Sequence, residues 1–302
     1  MNKLVNAIDQ VIEENNLPHE WSKEIVAELK ELKHKKESKN RVDLRSYPFV
    51  TIDGKDAKDF DDAVFCKEEP NGFVLQVAIA DVADIVKQGT ELDCEALKRG
   101  TSIYFPRRVI PMLPEEISNN LCSLVPKEDR NVLVCKIIFN KDGVINSYEF
   151  NEAIINSNKR FTYNEVEYLS KDNQVNISSN ILDSIISLKK LTKKLLKERL
   201  KRNALEIDSA EPILKFDNKD NISEVSVPKR LFTHQMIEEA MISANICAAK
   251  FIKKHLGFGV YRIHEEPENL KIENLKKFFS LKGLSSKSFS DTLELINGFI
   301  GH

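Results

Sequence analysis

Five aspartates, Asp53, Asp56, Asp59, Asp61 and Asp62, crowd the run from Thr51 to Ala63, with only Lys55 and Lys58 to offset them. Carboxylates folded onto one another repel and raise each other's pKa, so a compact arrangement calls for a compensating cation. Oxygen ligands suit hard Mg²⁺ or Mn²⁺, whereas zinc recruits His or Cys. Mg²⁺ held by a few carboxylates keeps positions open for phosphate oxygens and water, so phosphate chemistry follows. A calcium loop starting at Asp53 would put Lys55 at its third position, and one starting at Asp59 would put Val64 where the sharp glycine turn belongs. An aspartyl-phosphate nucleophile normally ends an apolar strand, but Ala57-Lys58 precede Asp59. Residue types and spacing alone leave two readings, a metal site and a solvated acidic loop.

The flanking elements must position these side chains. From Pro48 the chain reads as strand, in Phe49 to Ile52, Ala63 to Cys66 and, past the turn at Glu69 to Gly72, Phe73 to Val82. The turn Asn140-Lys141-Asp142-Gly143 separates Val132 to Phe139 from Val144 to Phe150 and predicts a second hairpin. Past Asn180 the period becomes helical, with Leu188, Leu191 and Leu195 on one face and a basic face opposite that reads either as a solvated face or as a nucleic-acid surface. A last helix is expected from about Thr233 to Leu256, closed by Gly257, with a buried stripe of Ile237, Ala240, Met241, Ala244, Ala248 and Phe251. Residues 1–47 are charged, with helical periodicity in Val5, Ile8, Ile12 and in Trp21, Ile25, Leu29, Leu32, and read as a linker.

The 302 residues, 41% hydrophobic and 30% charged, can bury a sizeable core and form one or two domains. A net charge of −2 removes bulk attraction to nucleic acid, so binding there needs a local patch. No apolar run approaches the ~20 residues that cross a bilayer, and Asp9 interrupts any signal peptide, so a cytoplasmic protein without membrane contact is expected. Five scattered cysteines without a Cys-x-x-Cys read as reduced, mostly core thiols, and the six histidines form no ligand spacing and read as structural.

The acidic run through Val64 resembles the RNB catalytic domain of the ribonuclease II and ribonuclease R exoribonucleases. The same resemblance continues, in order, through Val77 to Val82, Arg99 to Tyr104, Val109 to Pro114, Leu121 to Leu124, Phe161-Thr162-Tyr163 and Ile237 to Met241. It implies an α+β fold, β-rich in its first half and followed by helices, with a linker over 1–47 after absent cold-shock domains and a partial RNB catalytic domain over 48–302. It further implies a monomeric, Mg²⁺-dependent 3′→5′ exoribonuclease that degrades single-stranded RNA to nucleoside 5′-monophosphates, with Mn²⁺ as a substitute ion. By motif position Asp53, Asp59, Asp61 and Asp62 would be catalytic and metal-binding, with Asp61 the most critical and Asp56 peripheral. Tyr104 and Tyr163 would position or stack on terminal nucleotides, and stacking tolerates any base, while Glu238 would lie beside the last nucleotide. Arg107 and Arg108 are candidates either for RNA phosphates or for pairing with Glu115 or Glu116.

The chain departs from the pattern where Ile207 replaces a usual aromatic and where Asp84-Ile85 replaces a His-Tyr pair. It also stops at His302, before the family's Ser-Pro-Ile-Arg-Arg-Tyr type segment, so the domain is expected to be incomplete at its C-terminal end. That segment's arginine contacts phosphate, which leaves a rival expectation: a truncated, catalytically silent RNA-binding or interaction fragment.

Overall fold

The computed structural model describes residues 3–32, 40–169, 177–204, 212–217, 221–263, 265–283 and 296. Ile207 lies outside the described residues. Elements are numbered in chain order. Helices α1 (Lys3–Glu14) and α2 (Lys23–Leu32) precede strands β1 (Val42–Asp43), β2 (Val50–Asp53), β3 (Asp62–Glu69) and β4 (Gly72–Ala80). A helical turn α3 (Val82–Ile85), helix α4 (Glu91–Arg99), a short hairpin of β5 (Ile103–Phe105) and β6 (Arg108–Ile110), and a π-helical turn at Ile117–Leu121 follow. Strands β7 (Asp129–Asn140), β8 (Ile145–Asn156) and β9 (Lys159–Thr162) lead into α5 (Tyr163–Glu167) and α6 (Ser179–Lys201). A second hairpin, β10 (Ile213–Phe216) and β11 (Ile222–Ser226), precedes α7 (Phe232–Leu256) and α8 (Asn269–Leu281).

Seven strands form one sheet in the order β1-β8-β7-β4-β3-β2-β9, parallel at β1–β8 and β2–β9 and antiparallel elsewhere. Both long hairpins follow from period-two alternation and their turns. At the second, the Asn140 side-chain oxygen accepts from the amides of Asp142 and Val144, and Gly143 takes φ 89°. At the first, Gly72 adopts φ 149° against β7, and a Cβ there would lie 1.9 Å from the Phe139 carbonyl oxygen. Only glycine permits that approach.

Alternation along β3 sends Val64 and Cys66 to one face and Ala63 and Phe65 to the other, and both faces are covered. Helices α6 and α7 close one face through Ile185, Leu188, Leu191, Met236, Ala240 and Cys247, and the lysines of α6 largely face solvent, as its pattern predicts. Fully burying an aliphatic residue such as Leu75 contributes roughly 1.5–3 kcal/mol. The α7 stripe differs at one end, because Phe251 is 40% exposed and Cys247 takes the buried position instead. Cys66, Cys122, Cys135 and Cys247 are buried free thiols, whereas Cys94 is exposed.

The opposite face is covered by the segment that the charge pattern marks as a linker. Ile25, Leu29 and Leu32 of α2 join Phe49, Phe65, Leu92 and Val132 in one core, and β1 adds an edge strand. The Arg99 guanidinium anchors this segment by stacking 3.6 Å from the Trp21 ring centroid and donating to the Glu20 carbonyl at 2.7 Å. Arg41, almost fully buried, pairs with Asp81 at 2.5 Å and with Asp84 at 3.6 Å. Asp84 also accepts from Asn131 at 2.9 Å, so the residue that departs from the His-Tyr pattern works as a structural acceptor.

Breaking the Arg41–Asp81 pair from one side would strand a buried carboxylate. Arg41→Met should therefore lower unfolding free energy by about 3–5 kcal/mol in urea titration. A loss under about 1 kcal/mol would mean that the pair behaves as a surface bridge.

Candidate active site

The acidic loop connects β2 to β3, and its two ends are fixed by the sheet. Asp53 closes β2 opposite Thr162 of β9, and Asp62 opens β3 opposite Ile79 of β4. Between them Phe60 is buried in the core, while Asp59, Asp61 and Asp56 line a cleft of about 920 Å³. The loop is tied down from below by Ser123, whose hydroxyl accepts from the Phe60 amide at 3.0 Å and donates to the Lys58 carbonyl at 2.9 Å. The Leu124 amide donates to the Phe60 carbonyl at 2.8 Å, and the Ala80 amide to the Asp61 carbonyl at 2.9 Å. The Leu121 to Leu124 motif is thus the floor of the loop.

The carboxylates feel one another strongly. Burial first, and then the neighbouring Asp62, push Asp53 up to about 7 against the opposing pull of Arg160. Burial and Asp61 push Asp62 up to about 6, and desolvation and Asp59 raise Asp61. One Asp53 oxygen, Oδ2, is buried and has no hydrogen-bond partner.

The expected metal set, Asp53, Asp59, Asp61 and Asp62, lies on one loop and the two strand ends that flank it. Among the described residues, no three His, Cys, Asp or Glu side chains converge closely enough to hold a metal ion between them. Along β3 Asp62 shares the face of Val64 and Cys66, whereas Phe60 packs with Ala63 and Phe65 in the opposite core. The carboxylates form one electrostatically linked series, with Asp62 and Asp61 acting on Asp53, Asp61 on Asp62 and Asp59 on Asp61. That arrangement still fits Mg²⁺, which takes one or two carboxylates and completes its shell with water and substrate phosphate. The partnerless Asp53 Oδ2 and the all-oxygen donor set support the fit.

The Phe161-Thr162-Tyr163 motif separates into three roles. Phe161 is buried, Thr162 caps α5 with Glu165 in a reciprocal capping box, and Tyr163 is the first residue of that helix. Burial, Asp53 and Asp62 push the Tyr163 hydroxyl up to about 12, so it stays protonated beside the carboxylates. Its ring stacks on His234 of α7 at 4.0 Å between centroids and 22° between planes. One face is therefore occupied by imidazole rather than left for a base. Helix α5 is held by the Thr233 hydroxyl, which donates to the Tyr163 carbonyl at 3.0 Å, and by Lys189, whose ammonium donates to the Val166 carbonyl at 2.7 Å and the Leu169 carbonyl at 2.9 Å.

Tyr104, 71% exposed on β5, lines the cleft with Asp59 and Asp61. Glu238 lies one turn beyond His234 on α7 and is paired with Arg199 at 2.8 Å and with Arg230. Burial raises its pKa, but the two guanidiniums outweigh that and hold the carboxyl below its ordinary value. Arg108 pairs with Asp9 of α1 at 2.6 Å instead of Glu115 or Glu116, and Arg107 lies over the Phe216 ring.

Sequence reasoning missed Arg160 and His234. Arg160 precedes the Phe-Thr-Tyr motif but reaches the acidic loop only because β2 and β9 pair in parallel, a contact that no local spacing encodes. His234 has no ligand spacing, and only packing of α7 against α5 gives it a place at the site.

The raised carboxyls set a pH dependence. With folded values near 7 and 6 against an ordinary 3.8, the folded state takes up protons that the unfolded state releases, so stability rises as pH falls from about 8 toward about 4. Carboxyls held low, such as Asp43 at about 2, give up their contribution only as pH drops through that lower range. Without divalent metal, the thermal midpoint should be higher near pH 5 than near pH 8, and Asp53→Asn should flatten most of the slope. An unchanged slope in that variant would rule out Asp53 as its source.

The RNB domain family model matches residues 41–299. Ribonuclease R of Vibrio parahaemolyticus is 41% identical over 282 residues, covering 91% of this chain and 34% of the relative. Ribonuclease R of Escherichia coli K12 is 39% identical over 284 residues, covering 92% and 35%. The chain thus spans about a third of the length of these curated relatives. The structure of Mycoplasma genitalium RNase R in complex with ribose-methylated single-stranded RNA superposes with a TM-score of 0.89 at 28% identity, covering 98% of this chain and 47% of that one.

Proposed function

This chain belongs to the RNB-domain family, and from that premise we propose that it carries the acidic centre of a 3′→5′ exoribonuclease that hydrolyses single-stranded RNA. The single observation that carries the reading is the desolvated carboxylate cluster, in which burial and Asp62 raise Asp53, burial and Asp61 raise Asp62, and Asp53 Oδ2 is unsatisfied. Burying such groups without partners costs stability, and selection keeps a cost of that kind where a site is used. The RNA in the complex of the Mycoplasma relative supports the substrate class.

A Mg²⁺ ion held here, or Mn²⁺ in its place, would supply Lewis-acid polarisation of a phosphate oxygen and lower the pKa of a bound water. Asp53 and Asp62 are the residues that would hold it, with their repulsion relieved by the cation. Asp61, raised and open to the cleft, accepts the proton of the attacking water at its carboxylate, and Asp59 keeps that carboxylate basic. Water adds to phosphorus and the bond to the 3′ oxygen breaks, so the phosphate stays on the 5′ oxygen of the released nucleotide. Tyr163, held by His234 and neutral, donates a hydrogen bond at the carboxylate end of the site. Tyr104, exposed at the cleft, offers a ring face to an incoming base. Glu238, braced by Arg199 and Arg230, is the acceptor for a ribose hydroxyl, which favours RNA over DNA. A monomeric state and a cytoplasmic location belong to the same proposal; among the described residues no helix is long and apolar enough to cross a membrane.

Incubating the chain with 3′-extended RNA should release nucleoside 5′-monophosphates only with Mg²⁺ or Mn²⁺. Asp61→Asn should cut the rate by about 10²–10⁴. RNA held equally by the wild type and by Asp61→Asn, with no monophosphate released by either, would favour the silent-fragment reading.

A further inference from the structure

The acidic loop is open where it leaves the sheet, since a Cβ built on Gly54 meets nothing within 4 Å. Besides the Ala57 amide, which donates to the Gly54 carbonyl at 3.3 Å, a side chain from another strand holds it there. Arg160 stands opposite Thr51 in the parallel β2–β9 ladder, and its Nη2 donates to the Gly54 carbonyl and, at 2.8 Å, to the Lys55 carbonyl. The same guanidinium lies 5.6 Å from the centroid of the Phe60 ring, the residue that plugs the loop into the core. Ser123 grips Lys58 and Phe60 from the floor, so Arg160 and Ser123 fix the two halves of the loop from opposite sides.

The choice of acceptors matters. An arginine beside five aspartates would ordinarily form a salt bridge with one of them. Here Nη2 donates to backbone carbonyls, and the charge acts on Asp53 through space, opposing part of the upward push from burial and Asp62. The cation therefore lowers the repulsion in the cluster while Asp53 Oδ2 stays free to take a ligand. Lysine is a poor substitute, since its compact ammonium is more strongly hydrated and lacks the delocalised guanidinium that faces the Phe60 ring.

We propose that Arg160 is a positioning residue, which shapes the acidic loop for metal and phosphate while leaving its carboxylate oxygens uncovered. Its catalytic consequence rests on the nuclease reading above; its effect on the loop does not.

The test uses the full chain with Arg160→Lys and Arg160→Gln. Amide hydrogen exchange over residues 54–60, measured without RNA or metal, should speed up about tenfold or more in both variants, with the sheet unchanged. With oligoribonucleotide and Mn²⁺, kcat should fall about tenfold or more, the Mn²⁺ half-saturation point should rise, and KM should stay within about threefold. Unchanged loop exchange overturns the proposal. So does exchange that rises throughout the sheet, which would make Arg160 a general structural prop, and so does faster loop exchange with unaltered kcat. Should the wild-type chain cleave no RNA, the nuclease reading fails by itself, and the exchange measurement still decides whether Arg160 shapes the loop.

Discussion

Like charges gathered in a partly desolvated place form the constraint on which this structure turns. Asp53, Asp61 and Asp62 are each raised by burial and by a neighbouring carboxylate, so the loop that carries them stores unfavourable electrostatic energy. The surrounding structure is arranged to hold that loop against its own repulsion. Strands β2 and β3 pin its ends, Phe60 anchors its middle in the core, Ser123 supports it from below and Arg160 clamps its start.

The seven-stranded sheet supplies the rigidity for this. Both its faces are covered, by α6 and α7 on one side and by α2 and α4 on the other, so the edge where β2 meets β9 cannot easily shift. The same edge delivers Arg160 and Tyr163 to the loop from consecutive elements, β9 and α5. Helix α7 then completes the site from behind with His234 against Tyr163 and with Glu238 braced between two arginines.

Several charged residues in and beside the resembling stretches are scaffold in the structure. Asp81 is the buried partner of Arg41, and Arg99 is the clamp on Trp21. Arg108 pairs with α1. Their motifs carry family resemblance because they build the walls of the site. The segment before Pro48 shows the same mixing of roles: its charge suggests a linker, yet one apolar stripe on α2 suffices to make it part of a core.

The sequence by itself determined which side chains could be reactive and which stretches alternate. The Asp-rich run, both long hairpins and the final helix were all readable, since each rests on local composition, turn chemistry or periodicity. Tertiary structure decided how deeply the carboxylates are buried and which of them act on one another, because the sheet fixes Asp53 and Asp62 while Phe60 enters the core between them. It also decided that Arg160 and His234 belong to the site. Parallel pairing of β2 with β9, and packing of α7 on α5, bring together residues far apart in the chain, and contacts of that kind are chosen by burial of the whole core rather than by any local pattern.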